Sequence, residues 1–158
     1  MGRLSIELVP ETAFWKNVRS HVTKAQWEVC KTYAKWKTDA ENPYCIVCGQ
    51  TGFHQGRRHA VEAHEIWHYN DEEGIQTLVD IVPLCPRCHQ CKHLGRTRAV
   101  STPEQWARVI EHFQKVNDWG DDRTMKYIET VFEIWRLRSQ VAWELDISWL
   151  KNLGIQVS

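Results

Sequence analysis

The chain has 158 residues, which is enough for one domain with a sizeable hydrophobic core. Its 20 basic and 20 acidic residues give zero net charge, so no general electrostatic attraction to nucleic acid is expected. It contains neither a run of about 18 apolar residues nor a signal-peptide pattern, so we expect a cytoplasmic protein without a membrane segment. In that reducing compartment, six cysteines favour metal binding over disulfides.

The predicted N-terminal flank, residues 1–43, is helical. Apolar periodicity indicates one helix over residues 10–21 and a second over residues 23–39, with Thr23 as its N-cap. Helical spacing of the apolar positions in the second helix favours core packing over base stacking. These positions are Ala25, Val29, Tyr33 and Trp36, with Cys30 alongside.

Two Cys-x-x-Cys pairs, far apart in the sequence, give the strongest signal in the chain. Together they supply four thiolates, which is a complete tetrahedral set for one zinc ion. Two disulfides or ordinary buried thiols are the alternative, and neither accounts for the repeated two-residue gap. We therefore predict a structural zinc site that consists of Cys45, Cys48, Cys85 and Cys88.

A glycine-rich, polar and basic segment over residues 49–59 follows the first cysteine pair. Its Arg57 and Arg58 are placed to contact phosphates, although a solvated connecting loop is an equal alternative. Lys92 and Arg96 lie near the end of the next predicted helix. These four cations could form a local basic rim in spite of the neutral overall charge.

A strand–turn–strand–helix unit comes next. Residues 61–69 and 78–84 are rich in β-branched and aromatic side chains and bracket a polar, glycine-containing turn, which predicts an antiparallel hairpin. Pro86 suits the first turn of a helix and Gly95 suits its end. His89 and His93 are four residues apart, so they share one face of this helix and could hold a metal ion or a phosphate between them.

The C-terminal flank, residues 101–158, is again predicted to be helical. Caps and apolar spacing indicate one helix that ends before Gly120 and a longer helix over residues 121–145. The apolar tail, residues 147–154, is expected to dock against the body or against a second subunit. The chain shows no linker or repeat, so we predict one mainly helical α+β domain.

Residues 44–95 resemble the HNH endonuclease family, whose active site is a two-strand, one-helix unit often braced by zinc in two Cys-x-x-Cys pairs. The resemblance implies a ββα-metal core here. It implies His64 as the general base, Asp80 at the position of the usual central asparagine, and His89 as a metal ligand. His93 matches an additional histidine that some members place four residues further along.

Two positions depart from the family pattern. Asp80 replaces the asparagine but could still orient a histidine through its second ring proton. Ala63 stands where many members have a metal ligand, and it cannot bind an ion. Glu62, Glu65 or His68 could supply that ligand, and Glu65 is included in the predicted metal set with His89 and His93. Alternation along a strand puts Glu62, His64 and His68 on one face and Glu65 on the other.

These features predict an endonuclease that hydrolyses phosphodiester bonds in DNA, with RNA left open as a substrate. Its catalytic cation would be Mg²⁺, Mn²⁺, Ni²⁺ or Zn²⁺, and the imidazole ligands favour the transition metals. Arg57, Arg58, Lys92 and Arg96 are the predicted nucleic-acid contacts. The alternative is a zinc-stabilised module that binds nucleic acid or protein without catalysis. A homo-oligomer or a recruiting protein partner is compatible with both hypotheses.

Overall fold

A computed structural model describes residues 3–157 and has an α+β architecture with a small three-stranded sheet. The α-helices are α1 (Lys24–Trp36), α2 (Pro86–Lys92), α3 (Leu94–Val100), α4 (Pro103–Asn117) and α5 (Asp121–Arg138). The strands are β1 (Glu62–Asn70), β2 (Ile75–Leu84) and β3 (Glu144–Asp146). Short 3₁₀ turns span Glu11–Ala13, Val18–His21, Phe53–Gln55 and Ser148–Leu153.

The predicted hairpin is present as β1 and β2, which pair antiparallel from Glu62 opposite Leu84 to Asn70 opposite Ile75. The turn closes at Gly74, whose φ of 69° is a conformation that glycine adopts without steric cost. An irregularity at Ile66 shifts the register along the pair. The third strand, β3, pairs parallel to β2 and lies in a region that the sequence predicted to be helical.

The hairpin lies between two groups of buried apolar side chains. On one side, the segment before α1 joins α2, α3, α4 and α5 in a core that includes Leu4, Ile6, Leu8, Leu84, Leu94 and Phe113. On the other side, α1 packs with the C-terminal tail through Trp27, Cys30, Leu78, Ile81 and Leu150. Burying a side chain of this size contributes roughly 1.5–3 kcal/mol relative to leaving it exposed. The sheet is therefore held from both faces.

The helix predicted over residues 10–21 is wrong. This segment makes two separate 3₁₀ turns, and its polar groups bond to distant parts of the chain instead of to the preceding turn. The hydroxyl of Thr12 donates to the carbonyl of Val141 at 2.6 Å, and the Ser139 hydroxyl accepts from the amide of Glu11 at 3.1 Å. Hydrogen bonds to distant residues thus replace the backbone hydrogen bonds that a helix would form within the segment.

Helix α1 begins where the sequence predicted, because Thr23 forms a capping box with Gln26. Its buried face was predicted only in part, since Cys30 is buried and Tyr33 packs against the core as expected. The side chains that face the core are Trp27, Cys30 and Ala34, whereas Val29 and Trp36 are exposed. Because α1 carries apolar residues on more than one face, its own sequence does not determine which face is buried. The surface on which the helix packs decides this.

The predicted helix over residues 86–95 is broken by His93, which has φ −102° and ψ 46° and lies between α2 and α3. Gly95 is therefore inside α3 and does not end the helix. Helix α5 ends at Arg138, earlier than predicted. The apolar tail docks on the body as predicted, with Ile147 and Leu150 buried against α1 and β2. No helix within residues 3–157 has the length and apolar character needed to cross a membrane.

Candidate metal centres

The two cysteine pairs converge as the sequence predicted. Cys45 and Cys48 belong to a tight turn that ends at Gly49 (φ 75°), while Cys85 is the N-cap of α2 and Cys88 lies in its first turn. The four Sγ atoms all lie within 4.8 Å of one another. The Sγ atoms of Cys48 and Cys85 are 3.6 Å apart. Two sulfurs bound to one tetrahedral zinc ion at ~2.3 Å would be about 3.8 Å apart, so the cluster could hold such an ion.

Hydrogen bonds among the four thiols favour the thiolate form at two of them. They lower the pKa of Cys45 to about 6, with Cys48 as the largest cause, and lower that of Cys85, with Cys45 as the largest cause. The same contacts raise the pKa of Cys48 and Cys88. The amide of Cys88 donates to the sulfur of Cys85 at 3.4 Å, and this sulfur lies at the positive end of α2. Cys45, Cys85 and Cys88 are at most 1% exposed, and Cys48 is half-buried. The four-cysteine cluster is thus closed to a substrate, which is typical of a structural site.

A histidine that the sequence analysis missed supports this cluster. His112 of α4 is buried, and its Nε2 lies 3.2 Å from the sulfur of Cys88. Groups that hydrogen-bond to metal ligands orient those ligands and tune their basicity. The sequence did contain a clue to it. His112 occupies the same helix face as Val109, Phe113 and Val116, where an apolar residue would be expected.

A second cluster consists of three imidazole rings. His64 comes from β1, His89 from α2 and His93 from the junction between α2 and α3. The ring centroid of His64 lies 5.1 Å from the centroid of His89 and 5.1 Å from that of His93. The centroids of His89 and His93 are 4.7 Å apart. One nitrogen of each ring lies within 4.8 Å of the other two. The three-histidine cluster could therefore hold a metal ion.

The ligand spacing inside this cluster is also suitable. The Nε2 atoms of His89 and His93 are 3.1 Å apart. Two nitrogens bound to one tetrahedral ion at ~2.0–2.1 Å would be about 3.3 Å apart. The two side chains are adjacent, as the four-residue spacing predicted, but His93 lies just after α2 and not on a continuous helix face.

Glu62 connects to the cluster through His89. Its Oε2 accepts a hydrogen bond from Nδ1 of His89 at 2.9 Å, and its Oε1 lies 3.2 Å from Nε2 of His59. The hydrogen bond with His89, and next that with His59, lowers the pKa of Glu62 to about 2. An ionised carboxylate at this position keeps the proton of His89 on Nδ1. The lone pair of Nε2 is then directed into the cluster.

Two of the histidines have a low affinity for protons. Burial, followed by the charge of His89, holds the pKa of His64 well below its usual range. The same two causes lower the pKa of His93 to about 4. Both rings are therefore neutral near pH 7, which is the form in which imidazole binds metal ions.

Glu65, included in the predicted metal set, is not part of this cluster. Its carboxylate accepts hydrogen bonds from the amide of Val18 at 3.1 Å and from the indole of Trp67 at 3.2 Å. Alternation of side chains along β1 directs it to the opposite face of the sheet from His64. Glu62, on the same face as His64, is the carboxylate that lies beside the histidines.

Asp80 is likewise engaged elsewhere. Its carboxylate accepts a hydrogen bond from the hydroxyl of Tyr33 on α1 at 3.1 Å and forms an ion pair with Lys37, the C-cap residue of that helix. Within residues 3–157, Asp80 makes no hydrogen bond to His64. Strand pairing places Asp80 opposite Ile66, where the register shifts. The side chains that bind its carboxylate come from α1 and from the residue after it.

The predicted basic rim is only partly available. Arg57, Arg58 and Arg96 are exposed, and Arg96 is near enough to His93 to lower its pKa. Lys92 is 7% exposed and its ammonium group binds Glu7 at 3.0 Å and the hydroxyl of Ser5. Its ammonium group is thus engaged by Glu7 inside the fold, and its role as a nucleic-acid contact stays a prediction.

The remaining cysteines do not belong to either cluster. Cys30 and Cys91 are fully buried, and burial raises the pKa of Cys30 to about 11 and that of Cys91 to about 12. The thiol of Cys91 lies 3.7 Å from the carbonyl of Val109. These two residues are apolar packing groups.

Searches of protein-family models, curated proteins and solved structures each found no significant match to this chain. The function is therefore inferred from the geometry of the two clusters and from the motif in residues 44–95.

Proposed function

We propose that this protein is a metal-dependent endonuclease of the HNH type that hydrolyses phosphodiester bonds in DNA, with RNA as an open alternative. The observation that carries this proposal is the convergence of three imidazole rings where the hairpin meets α2. A carboxylate that orients one of those rings adds to it. Both features lie in the part of the chain that resembles the HNH motif.

The openness of the three-histidine cluster favours catalysis over a structural role. His64 and His89 are half-buried and His93 is exposed, in contrast to the closed cysteine cluster. Catalytic metal sites typically use three protein ligands and leave a further position for water or substrate. Imidazole donors suit Zn²⁺, Ni²⁺ or Mn²⁺ better than Mg²⁺, which prefers oxygen ligands.

The ring of His64 fits the role of third ligand better than that of general base. It is neutral, and one of its nitrogens lies within 4.8 Å of a nitrogen on each of the other rings. Asp80, which was expected to orient it as a base, is bound to α1 instead. Glu62 holds His89 in the required tautomer. A divalent cation at this position would stabilise charge on a phosphate oxygen and lower the pKa of bound water.

The substrate would approach from the exposed side of His93. Arg96 follows one turn later on α3, and Arg57 and Arg58 lie on the loop that precedes β1. The side-chain oxygen of Gln55 accepts a hydrogen bond from the amide of Arg87 at 3.1 Å, so this loop is attached to the first turn of α2. Guanidinium groups in these positions can contact phosphates on either side of the site.

The test combines DNA cleavage with metal titration for His64→Ala. We expect cleavage in Mn²⁺, Ni²⁺ or Zn²⁺ to fall by about 10²- to 10⁴-fold, as for loss of a group central to the chemistry. A ligand role predicts weaker binding of the second metal equivalent and partial rescue at high metal concentration. A general-base role predicts unchanged metal affinity. His68→Ala, an exposed histidine on the same strand, is the matched control and should cleave normally.

Failure of the wild-type protein to cut DNA or RNA with any of these metals would contradict the proposal. The non-catalytic binding module would then be the better description. Circular dichroism and the metal content of the cysteine cluster should be unchanged in His64→Ala, which separates loss of the site from loss of the fold.

A further inference from the structure

A cavity of about 360 Å³ is lined by residues that belong to neither the cysteine cluster nor the three-histidine cluster. It is formed between the end of α1 with the turn after it and the loop that precedes β1. Its principal lining residues are Lys35, Asn42, Pro43, Phe53, His59 and Val61. The volume is near the lower end of the range of ~300–1,000 Å³ that is usual for small-molecule pockets.

The wall formed by the loop is held in place by its own backbone. The amide of Gly52 donates to the carbonyl of Ala60 at 2.6 Å, and the carbonyl of Gly52 accepts from the amide of Arg57 at 2.8 Å. A Cβ on Gly52 would clash with the carbonyl of His59, so this close approach requires glycine. The side chains of Phe53 and His59 are thereby presented to the same cavity.

The opposite wall is also ordered before any ligand binds. The carboxylate of Asp39 accepts hydrogen bonds from the amides of Glu41 at 2.9 Å and Asn42 at 2.7 Å. Pro43 follows and restricts the backbone further. A site with two fixed walls loses little conformational entropy when it binds a planar group.

The cavity is connected to the metal cluster by two hydrogen bonds. His59 lines the cavity and lies 3.2 Å from Glu62, which in turn accepts a hydrogen bond from His89 at 2.9 Å. A group bound in the cavity would therefore contact His59, which is linked through Glu62 to the three-histidine cluster.

We propose that this cavity binds one unpaired nucleobase next to the scissile phosphate, so that the substrate is single-stranded or locally unpaired nucleic acid. This inference rests on the proposed function and specifies its substrate. The ring of Phe53 is 60% exposed, which leaves a face free for base stacking. The amide of Asn42 offers a donor and an acceptor to a base edge. A base inside a duplex cannot enter such a cavity unless it leaves the stack.

The charges around the cavity agree with a neutral base inside it and phosphates outside. Glu41 and Lys35 both line the cavity with opposite charges, so the lining has no net charge that would favour an ionised group. Lys35, and Arg57 and Arg58 on the adjoining loop, are exposed. They are available for the phosphates that flank the bound nucleotide.

The test uses a short single-stranded oligonucleotide that contains 2-aminopurine, whose fluorescence is quenched by stacking. We expect quenching by the wild-type protein without added catalytic metal. Loss of base stacking typically weakens binding by about 5- to 150-fold, so Phe53→Ala should raise the Kd and the KM for single-stranded cleavage within this range, with kcat nearly unchanged. Phe53→Tyr should restore both. Phe14→Ala removes another exposed phenylalanine, 54% exposed and outside the cavity, and should change neither.

The two proposals fail in different ways. Quenching that depends on Phe53 without cleavage by any metal would retain the nucleotide subsite and contradict the nuclease. Cleavage with equal KM for wild type and Phe53→Ala, or equal effects of Phe53→Ala and Phe14→Ala, would overturn the subsite and leave the nuclease standing. Faster cleavage of intact duplex than of single strands would also overturn it.

Discussion

The two clusters of candidate metal ligands use the same helix, α2, but differ in their exposure to solvent and in the groups that support their ligands. The cysteine cluster takes its ligands from a turn, the end of β2 and the first turn of α2, and the core covers it. The three-histidine cluster lies at the other end of α2 and is open to solvent on the side of His93. A closed site can stabilise a fold, whereas an open one can admit a substrate.

The groups that support the ligands differ in the same way. The cysteine cluster is supported by His112 from α4, inside the hydrophobic core. The histidine cluster is supported by the ionised carboxylate of Glu62, which is half-buried and also contacts the exposed His59. One short helix thus joins a buried anchor to an exposed site, and damage to the anchor is expected to disturb both.

The largest expected effect is on the anchor. Structural zinc contributes ~10–16 kcal/mol in zinc-binding peptides, which is as large as the total stability of ~5–15 kcal/mol of a typical protein. Cys48→Ser should therefore lose its tightly bound zinc together with the cooperative thermal unfolding transition, as measured by metal analysis and circular dichroism. Cys91→Ala, a buried thiol outside the cluster, should retain its zinc. If the Cys48→Ser protein kept its zinc content and melting temperature, the structural role of the cysteine cluster would be contradicted.

An intermediate effect is expected at the carboxylate of the open site. Supporting residues of this kind typically change metal affinity by ~10- to 100-fold. Glu62→Gln should weaken metal binding at the histidine cluster by that factor in a calorimetric titration, because a neutral amide orients His89 less strongly. Glu65→Gln is the matched control, since this carboxylate lies on the other face of the sheet and bonds to Val18 and Trp67. Equal losses in the two variants would contradict the placement of the site on the face of Glu62.

The smallest expected effect concerns pH. The pKa of His93, about 4 in the folded chain, lies below the ~6.5 expected for an unfolded histidine. Between these values the unfolded state binds a proton that the folded state does not, so stability should fall as the pH drops from about 6.5 to about 4. Solvent screening at this exposed ring keeps the effect small.

His93→Gln removes the titrating group and should flatten this part of the stability curve. The measurement is thermal unfolding in pH steps, without added divalent metal, for both proteins. A direct check is the imidazole resonance of His93, whose titration midpoint should be near pH 4. A midpoint near 6.5, or parallel curves for the two proteins, would contradict the lowered pKa of His93.

Features with a short-range cause could be predicted from the sequence. Repeated Cys-x-x-Cys spacing identified the four cysteines that meet, and alternation indicated that Glu62 and His64 share a face while Glu65 does not. The capping box at Thr23 set the start of α1. These signals depend on the local geometry of a turn, a strand or the first turn of a helix.

The sequence by itself therefore determined the hairpin, the four-cysteine set and the spacing of the two helix histidines. Tertiary structure alone decided that Lys92 is neutralised by Glu7 and that α1 presents Trp27 to the core. It also decided that the segment before α1 bonds to residues 139–143 instead of forming a helix. The physical reason is that a polar group or an apolar stripe has several possible partners of similar energy, and only packing of distant segments selects one.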